Sequence, residues 1–529
     1  MEEALGVEET RQARLGVIQG GVEIETSARG GEKRREGRGL VIVLLLVGAL
    51  FYAVGFLHLR ADFPNGSPWM DMSKMTDEGW YGGAAIHHFV QGRWYLPDSF
   101  NPAVAMPVWP AMLGVWFAIT GVSMVAARSL TMLLYGASLV LLYRVAWRAR
   151  PGRMAAMVVL LTVINPFCYA FNRQALLEPV TTFSMMLALW LAGETRREDA
   201  VRQVLLGVVI LMLVLTKVTG VALVPAVLYM MWARWGWPDR RGMGKRGAAG
   251  VVLVVGTATV LWVAYMRLIV RPHYLADYEL LFRINAYRVH LSIVPRMAWV
   301  TLQDALWINP VLLVLGMVVF VISLVWLRTL WKVPLFGASV IAIVGHLAYV
   351  GYHTNFQPRY YEVIAMPLVL VVGLGVAAVW DWREQARARW CAVVLGVAVM
   401  VAGAGMGLQT MEYVLHPDYS YWAAAQGVAA IVNADGDAEG GGRAVLLSDS
   451  GDDISLWTGV PAISASYSVH GLDVLLGRYR PRWYAAWPGW DDANIAKMGQ
   501  RYRMDEVAHY RVLDVPGRRV LALYKLTPR

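Results

Sequence analysis

The sequence has few charged residues. Charged side chains make up only 16% of the 529 residues, whereas soluble domains carry roughly 25%. Apolar side chains reach 57%, and the mean hydropathy is +0.46. This composition excludes an ordinary soluble globular protein and predicts a polytopic membrane protein that is mainly α-helical.

Cysteine is nearly absent, since the chain has only Cys168 and Cys391. We place these two residues near the ends of different spans on opposite membrane faces, so no disulfide is expected. Lysine is also rare, with 7 residues against 41 arginines. This ratio resembles the coding bias of GC-rich bacteria, and we therefore predict a bacterial inner (cytoplasmic) membrane protein.

Nucleotide-binding motifs are missing as well. The sequence has no Walker A loop, no GxGxxG after a strand and no GxSxG in a supporting context, so we expect no bound nucleotide. The net charge of +10 is compatible with nucleic acid binding. However, the basic residues form short clusters between apolar runs, where they set membrane topology. We therefore expect membrane lipids, and no nucleic acid, as partners.

About eleven apolar runs are read as transmembrane helices. A basic cluster follows each even-numbered run up to the tenth. The positive-inside rule places these clusters in the cytosol. Eleven spans then put the C terminus outside. The runs are 39–59, 125–147, 153–171, 177–193, 202–216, 218–233, 248–270, 309–327, 334–352, 360–380 and 390–409.

Two interpretations determine whether the number of spans is odd or even. Residues 104–120 are apolar but are read as a helix lying in the outer interface, because counting them as a span would export the later Arg clusters. Residues 202–233 would be about 48 Å long as one helix, too long for a hydrocarbon core of roughly 30 Å. They are therefore predicted to form a hairpin that turns around 217–220.

We predict three regions along the chain. Residues 1–38 form a disordered cytosolic tail, because a cleaved signal peptide would have a shorter charged segment. Residues 39–410 form the transmembrane module, with a first outer loop at 60–124. Residues 411–529 form a small extracytoplasmic α/β domain. Its expected elements are strands at 443–448 and 483–487, helices at 420–432 and 471–477, and a hairpin pairing Val512–Val515 with Val520–Tyr524.

The first outer loop contains an acid pair, Asp77 and Glu78. Residues 77–91 are predicted to form an amphipathic helix with Thr76 as its N-cap and Gly92 at its end. First-turn acids also suit the helix dipole without any catalytic role. Alternatively, one of these carboxylates accepts a proton from a hydroxyl or amine beside the membrane.

Other polar residues lie at the outer ends of spans. Glu178 begins a span at the membrane edge, where an ionisable group is costly unless it has a partner. Alternatively, Glu178 is simply an acid in the first turn of a helix, which the helix dipole favours. Lys217 lies at the hairpin tip and either snorkels to headgroups or contacts a lipid phosphate. Arg359 and Tyr360 fit the same phosphate-binding role.

Further residues are weaker candidates. His87 and His88 lack metal-binding spacing, and Asp449, Asp452 and Asp453 are read as a plain loop. The 271–308 loop contributes basic residues that an amphipathic surface helix explains equally well. These are Arg283, Arg288 and Arg296.

Taken together, the pattern over residues 40–380 resembles the GT-C membrane glycosyltransferases, in particular the family 39-like group of protein O-mannosyltransferases and lipid A aminoarabinose transferases. A Lys-Pro-Pro stretch found late in the first loop of many aminoarabinose-type members is absent here. The matching motifs are Asp77-Glu78-Gly79-Trp80-Tyr81, Gly92-Arg93-Trp94-Tyr95-Leu96-Pro97, Ala127-Arg128-Ser129-Leu130, Arg173-Gln174-Ala175-Leu176-Leu177-Glu178-Pro179, Leu215-Thr216-Lys217 with Pro225, and Arg359-Tyr360-Tyr361 with Pro367.

This resemblance implies an inverting glycosyltransferase with a polyprenyl-phosphate sugar donor and a lipid, protein or glycan acceptor. It implies that Asp77, with Glu78 beside it, holds the catalytic carboxylate and that Glu178 is the acid of the second loop. Lys217 and Arg359 are then the phosphate-binding residues, with a divalent cation held by Asp77 and Glu78 as an alternative way to stabilise the leaving phosphate.

Two other classes of function remain. A transporter or flippase of a lipid-linked substrate would also need many spans and an outer basic site, but it predicts ionisable residues deep in the bundle. A noncatalytic scaffold that displays the C-terminal domain would leave the acid pair without a task.

Overall fold

The computed structural model describes residues 38–62, 67, 69, 71, 75–236, 244–284, 290–354, 356–381, 386–436, 445–465, 468, 470–512 and 519–529. The predicted cytosolic tail lies outside these residues except for Arg38, and so does Arg288.

The described part of the N-terminal 436 residues is mainly helical, and each predicted apolar run coincides largely with helical residues. The mainly α, GT-C-like polytopic fold is confirmed, while the number of spans stays a prediction. The helices are α1 Arg38–Val54, α2 Asp77–Gln91, α3 Val108–Thr120, α4 Met124–Ala149, α5 Arg153–Val163, α6 Pro166–Asn172, α7 Leu177–Glu194, α8 Ala200–Thr216, α9 Val224–Gly236, α10 Gly244–Tyr265, α11 Leu275–Ile284, α12 Val294–Asp304, α13 Pro310–Val325, α14 Pro334–His353, α15 Glu362–Asp381, α16 Ala386–Leu415 and α17 Ser420–Gly436.

Six of the described helices are long and apolar enough to cross a membrane. The count is seven if α5 and α6, which are bent by 65° at their break, form one span. The sequence predicts one span at 153–171. The break arises because Pro166 lacks an N–H, and the Asn165 side chain accepts a hydrogen bond from the Phe167 N–H to begin a new helix.

The long apolar stretch 202–233 is broken where the sequence predicts a turn. Helix α8 ends at Thr216, a 3₁₀ turn covers Val218–Leu223, and α9 follows. A Cβ at Gly220 would lie 2.4 Å from the Leu213 carbonyl oxygen, so only glycine allows this close approach of the turn to α8. The turn places Lys217 at a helix end.

Helix α3 was expected to lie in the outer interface, and α10 was expected to end near residue 270. Helix α3 has 13 residues, about 20 Å, and is therefore too short to cross a core of roughly 30 Å. Helix α10 does not stop near residue 270 but continues through a π-helical segment, Met266–Tyr274, into α11. Pro272 lies in this π-helical segment, the wider helix form that most often marks irregular positions in a long helix.

Residues 445–529, called here the C-terminal α/β region, contain a five-stranded sheet in the order β2-β1-β3-β5-β4. Strands β1, β2 and β3 are parallel, and β5 pairs antiparallel with β3 and β4. The elements are β1 Leu446–Ser448, α18 Gly451–Thr458, β2 Ala462–Ser464, α19 Leu472–Tyr479, β3 Trp483–Ala486, α20 Asp492–Arg501, β4 Tyr502–Arg511 and β5 Val520–Pro528.

The C-terminal secondary structure agrees with the sequence in part. The strands near 443–448 and 483–487 and the helices near 420–432 and 471–477 are present. The expected pairing of the hairpin is wrong, because residues 520–524 of β5 pair with 506–511 of β4. Residues 513–515 of the expected first strand lie outside the described residues. The expectation of a plain loop at Asp452 and Asp453 is also wrong, since both lie buried in the first turn of α18.

Candidate active site

The acid pair of the first loop lies at the start of α2. The predicted helix 77–91 is confirmed, and Gly92 ends it with φ 75° and an N–H donated to the His88 carbonyl oxygen. Thr76 precedes the helix but makes no capping bond with its side chain. Its hydroxyl instead donates to Asp77 Oδ1 at 3.1 Å.

Arg359 brings three buried carboxylates together. Its Nη1 pairs with Asp71 Oδ1, and its backbone N–H donates to Asp71 Oδ2 at 3.0 Å. Its Nη2 lies 2.5 Å from Asp77 Oδ2, and its Nε lies 3.6 Å from Glu178 Oε1. The 3₁₀ turn Pro358–Tyr361, directly before the deeply enclosed α15, holds the guanidinium in place.

Lys217 adds a second cation to the same cluster. Its ammonium pairs with Glu178 Oε1 and lies 3.9 Å from the ring centroid of Tyr360. The Arg359 guanidinium carbon lies 5.0 Å from the same ring. The snorkelling interpretation of Lys217 is wrong, because the residue is only 7% exposed and is paired. Five of the six site residues predicted from the sequence, all except Glu78, therefore belong to one cluster: Asp77, Glu178 and Tyr360 lie at the Arg359 guanidinium, and Lys217 joins through Glu178 and Tyr360.

The environment of Asp77 makes its carboxylate more basic than usual. Burial raises the pKa of Asp77, Arg359 opposes this rise, and the nearby carboxylates of Asp71 and Glu178 add to it. A carboxylate with a raised pKa is a better proton acceptor near neutral pH. Within the described residues, Glu178 Oε2 has no hydrogen-bond partner, so the cluster keeps an open acceptor atom.

Glu78 points away from this cluster. Its Oε1 accepts from Arg128 Nε at 2.8 Å and from the Ala175 N–H at 2.7 Å, and its Oε2 lies 2.5 Å from Arg128 Nη2. Arg128 also donates to the carbonyl oxygens of Leu59 and Ala61. Glu78 thus ties the start of α2 to α4 and to the turn before α7, and through Arg128 to the segment that follows α1.

The remaining candidates lie apart from the Arg359 cluster. His87 Nε2 lies 2.8 Å from Asp452 Oδ1, and His88 stacks on Trp94 with ring centroids 4.5 Å apart. Arg283 and Arg296 lie on α11 and α12. Among the described residues, no group of three or more His, Cys, Asp or Glu side chains could hold a metal ion.

Asp71 and Arg128 were not assigned a role from the sequence. The charge of Arg128 near the start of an apolar run was a usable signal, because a buried arginine requires an anionic partner. Asp71 gave no local signal, since its partner Arg359 lies 288 positions away.

Solved structures share this arrangement of helices. ArnT from Cupriavidus metallidurans in the apo state matches with a TM-score of 0.61 and 16% identity, over 92% of this chain and 98% of that chain. The fold is that of the GT-C glycosyltransferases. The resemblance expected from the motifs is therefore confirmed at the level of the fold.

Two further structures agree with it. The same ArnT bound to undecaprenyl phosphate has a TM-score of 0.58 and 14% identity over the same shares of both chains. The Archaeoglobus fulgidus oligosaccharyltransferase, tethered with an acceptor peptide containing the NVT sequon, has a TM-score of 0.52 and 10% identity over 92% of this chain and 74% of that chain. No sequence-family model matches, and no curated protein matches the sequence.

Proposed function

We propose that the protein is an inverting glycosyltransferase that moves a sugar from a polyprenyl-phosphate donor to an acceptor at the outer face of the membrane. One observation carries this proposal. Asp77, a carboxylate made basic by its surroundings, lies beside Arg359, and Arg359 and Lys217 flank a single Tyr360 ring. A proton acceptor next to two cations suits a reaction that takes a proton at one atom and releases a phosphate at another.

The two cations support a phosphate-bearing donor. Lys217 and Arg359 are buried, and a buried cation favours an anionic ligand because water screens the attraction poorly there. The neighbouring ArnT structure was determined with undecaprenyl phosphate bound. We therefore propose a polyprenyl phosphate as the lipid carrier, with a hexose or pentose as the transferred sugar.

The proposed reaction is a single displacement. An acceptor oxygen or nitrogen attacks the anomeric carbon while Asp77 accepts its proton. The bond between that carbon and the phosphate oxygen breaks, and the electron pair leaves with the polyprenyl phosphate. Lys217 and Arg359 stabilise the charge that develops on this phosphate. One displacement inverts the anomeric configuration, by the same logic as in inverting glycosidases.

No step is assigned to a metal ion. The archaeal oligosaccharyltransferase was crystallised with zinc and sulfate, and a divalent cation is one way to stabilise a departing phosphate. Here Asp77 and Glu78 face different partners, Arg359 and Arg128. These two acids therefore do not converge on one ion, and the residues do not fit the metal site that the sequence allows.

The location follows from the same proposal. Residues 39–410 would form the catalytic module in the bacterial inner membrane, with the cluster and residues 411–529 on the periplasmic or extracellular side. The acceptor would be a lipid, a protein or a glycan. The peptide in the archaeal oligosaccharyltransferase is an acceptor of that protein.

A deletion strain tests the function. Mass spectrometry of its surface glycans should show one sugar missing, restored by the wild-type gene and not by Asp77→Asn. Complete restoration by Asp77→Asn would contradict the assignment of the base. Purified protein that translocates a lipid-linked sugar without ever transferring it would support the flippase alternative instead.

A further inference from the structure

Helix α18 of the C-terminal α/β region lies directly against α2, the helix that begins with Asp77. A Cβ on Gly79 would lie 2.2 Å from the Asp452 carbonyl carbon and 2.2 Å from the Asp453 nitrogen. Backbone atoms cannot move aside as a flexible side chain can. Only glycine therefore allows the two helices to approach this closely.

Asp453 supplies the cap that Thr76 does not. Its Oδ1 accepts the N–H of Gly79 at 3.0 Å, across 374 positions of sequence. Gly79 is the third residue of α2, and the first N–H groups of a helix have no partner within it. A side chain from the C-terminal region thus satisfies a donor two residues from the proposed base.

Two other contacts join the same surfaces. Asp452 Oδ1 lies 2.8 Å from His87 Nε2, about two turns further along α2 than Gly79. The Arg128 guanidinium lies 5.1 Å from the ring centroid of Trp457 on α18 while it holds Glu78. Helix α2 is therefore held at its start and along its length by one short helix.

We propose that Asp453 is a positioning residue for Asp77, and that the C-terminal α/β region is an integral part of the active site. This inference rests on the proposed function. Asp453 does not touch Arg359, Lys217 or Glu178 in any described contact, so its effect is exerted through the backbone of α2. Loss of the cap or of the close contact shifts Asp77 relative to Arg359, and misplacement by about 1 Å can cost roughly a hundredfold in rate.

The surroundings of Asp453 indicate which variant should rescue its role. Burial raises the pKa of Asp453, the neighbouring Glu78 carboxylate raises it further, and the Gly79 N–H opposes this. An asparagine amide has nearly the same shape as this carboxyl, and its oxygen can accept the same hydrogen bond from the Gly79 N–H. Asp453→Asn should therefore keep the cap, whereas Asp453→Ala should lose it.

Transfer kinetics of the full-length protein with a polyprenyl-phosphate sugar test this inference. Asp453→Ala and Gly79→Ala should lower kcat roughly 10- to 100-fold while the donor KM changes by less than about threefold. Asp453→Asn should stay close to the wild type. Matched controls are Gly477→Ala, where a Cβ meets nothing within 4 Å, and Asp473→Ala, on exposed α19 in an ion pair with Arg501.

Hydrogen exchange of the peptide that covers 77–83 gives a readout that needs no activity. Asp453→Ala should speed its exchange, and Asp453→Asn should not. If Asp453→Ala leaves both the exchange rate and kcat unchanged, the inference is overturned. It is also overturned if Asp453→Asn and Asp453→Ala lower kcat and speed exchange equally. A wild-type protein that never transfers sugar would overturn the proposed function, whereas the exchange result would still decide whether Asp453 holds α2.

Discussion

Arg359 is the residue on which the proposed site depends. It contacts three carboxylates, and Lys217 neutralises one of them, so the five side chains carry one excess negative charge if all are ionised. Isolated buried charge is costly. Burial raises the pKa of Asp77, and the neighbouring carboxylates of Asp71 and Glu178 add to this rise, so its carboxylate is a better proton acceptor than a free aspartate.

The first prediction is the pH dependence of transfer. Asp77 acts as a base only when it is deprotonated, so kcat should rise with pH through its pKa and level off above it. Because that pKa is raised, the rise should lie above the value of about 3.9 usual for aspartate. Glu178→Gln removes a nearby negative charge and should move the rise to lower pH. A kcat independent of pH between about 4 and 8 would contradict this role.

The second prediction concerns the donor phosphate. Lys217→Ala should weaken donor binding and slow transfer together, because a phosphate contact acts in the ground state and in the transition state. We expect the donor Kd to rise about tenfold or more, as measured by titration with a polyprenyl phosphate.

Lys525 provides a matched control for this variant. It also pairs with an aspartate, Asp435, and lies 5.6 Å from the ring centroid of Trp483, but it is on β5 of the C-terminal sheet. Lys525→Ala should leave the donor Kd unchanged. An equal loss in both variants would show that the effect of Lys217 is not specific to the donor.

At the scale of elements, local pattern predicted most helices and missed the pairing between distant ones. The amphipathic pattern with the Gly92 stop predicted α2, and the apolar runs predicted the apolar helices, because periodicity and caps act within a few residues. Asp452 and Asp453 resembled a loop because their partners His87 and Gly79 are more than 360 positions away. The bend at Asn165 and Pro166 was readable in principle, since proline begins a new helix there.

The site residues could be selected from the sequence, but their contacts could not. Asp77 could be selected as an acid at a helix start in the first outer loop. Glu178, Lys217, Arg359 and Tyr360 could be selected because each lies at the end of an apolar run, where a polar group is costly without a partner. The contacts between these residues could not be predicted from the sequence, because those contacts depend on how α2, α7, α8 and α15 pack. Glu78, adjacent to Asp77 in sequence, points to a different partner because successive helical residues face different directions.

A third prediction follows for Glu78 as an anchor of α2. Glu78→Gln should lower the free energy of unfolding by about 3–5 kcal/mol, because it leaves the buried Arg128 without its anionic partner. Thermal unfolding of the purified protein in detergent measures this loss. Glu412→Gln, at an exposed position on α16, is the control. If Glu78→Gln is as stable as the wild type but inactive, Glu78 takes part in the chemistry.

For the whole molecule, the outer location of the Arg359 cluster remains a prediction, and the proposed function requires it. The Arg distribution keeps 104–120 on the outside and makes 202–233 cross twice. In a variant without Cys168 and Cys391, single cysteines at 122 and at the C terminus should react with an impermeant thiol reagent from outside. A cysteine at 240 should not. Labelling at 240 from outside would reject this topology and the outer location of the cluster.

The most direct test of the central claim is one turnover of purified protein with a labelled polyprenyl-phosphate sugar and membrane extract as acceptor source. The wild type should release polyprenyl phosphate in step with sugar transfer, and the product should have inverted anomeric configuration. Asp77→Asn should bind the donor with an unchanged Kd but transfer roughly 100-fold more slowly, while Asp473→Asn should match the wild type. Near-normal transfer by Asp77→Asn, or retained configuration, would contradict the claim.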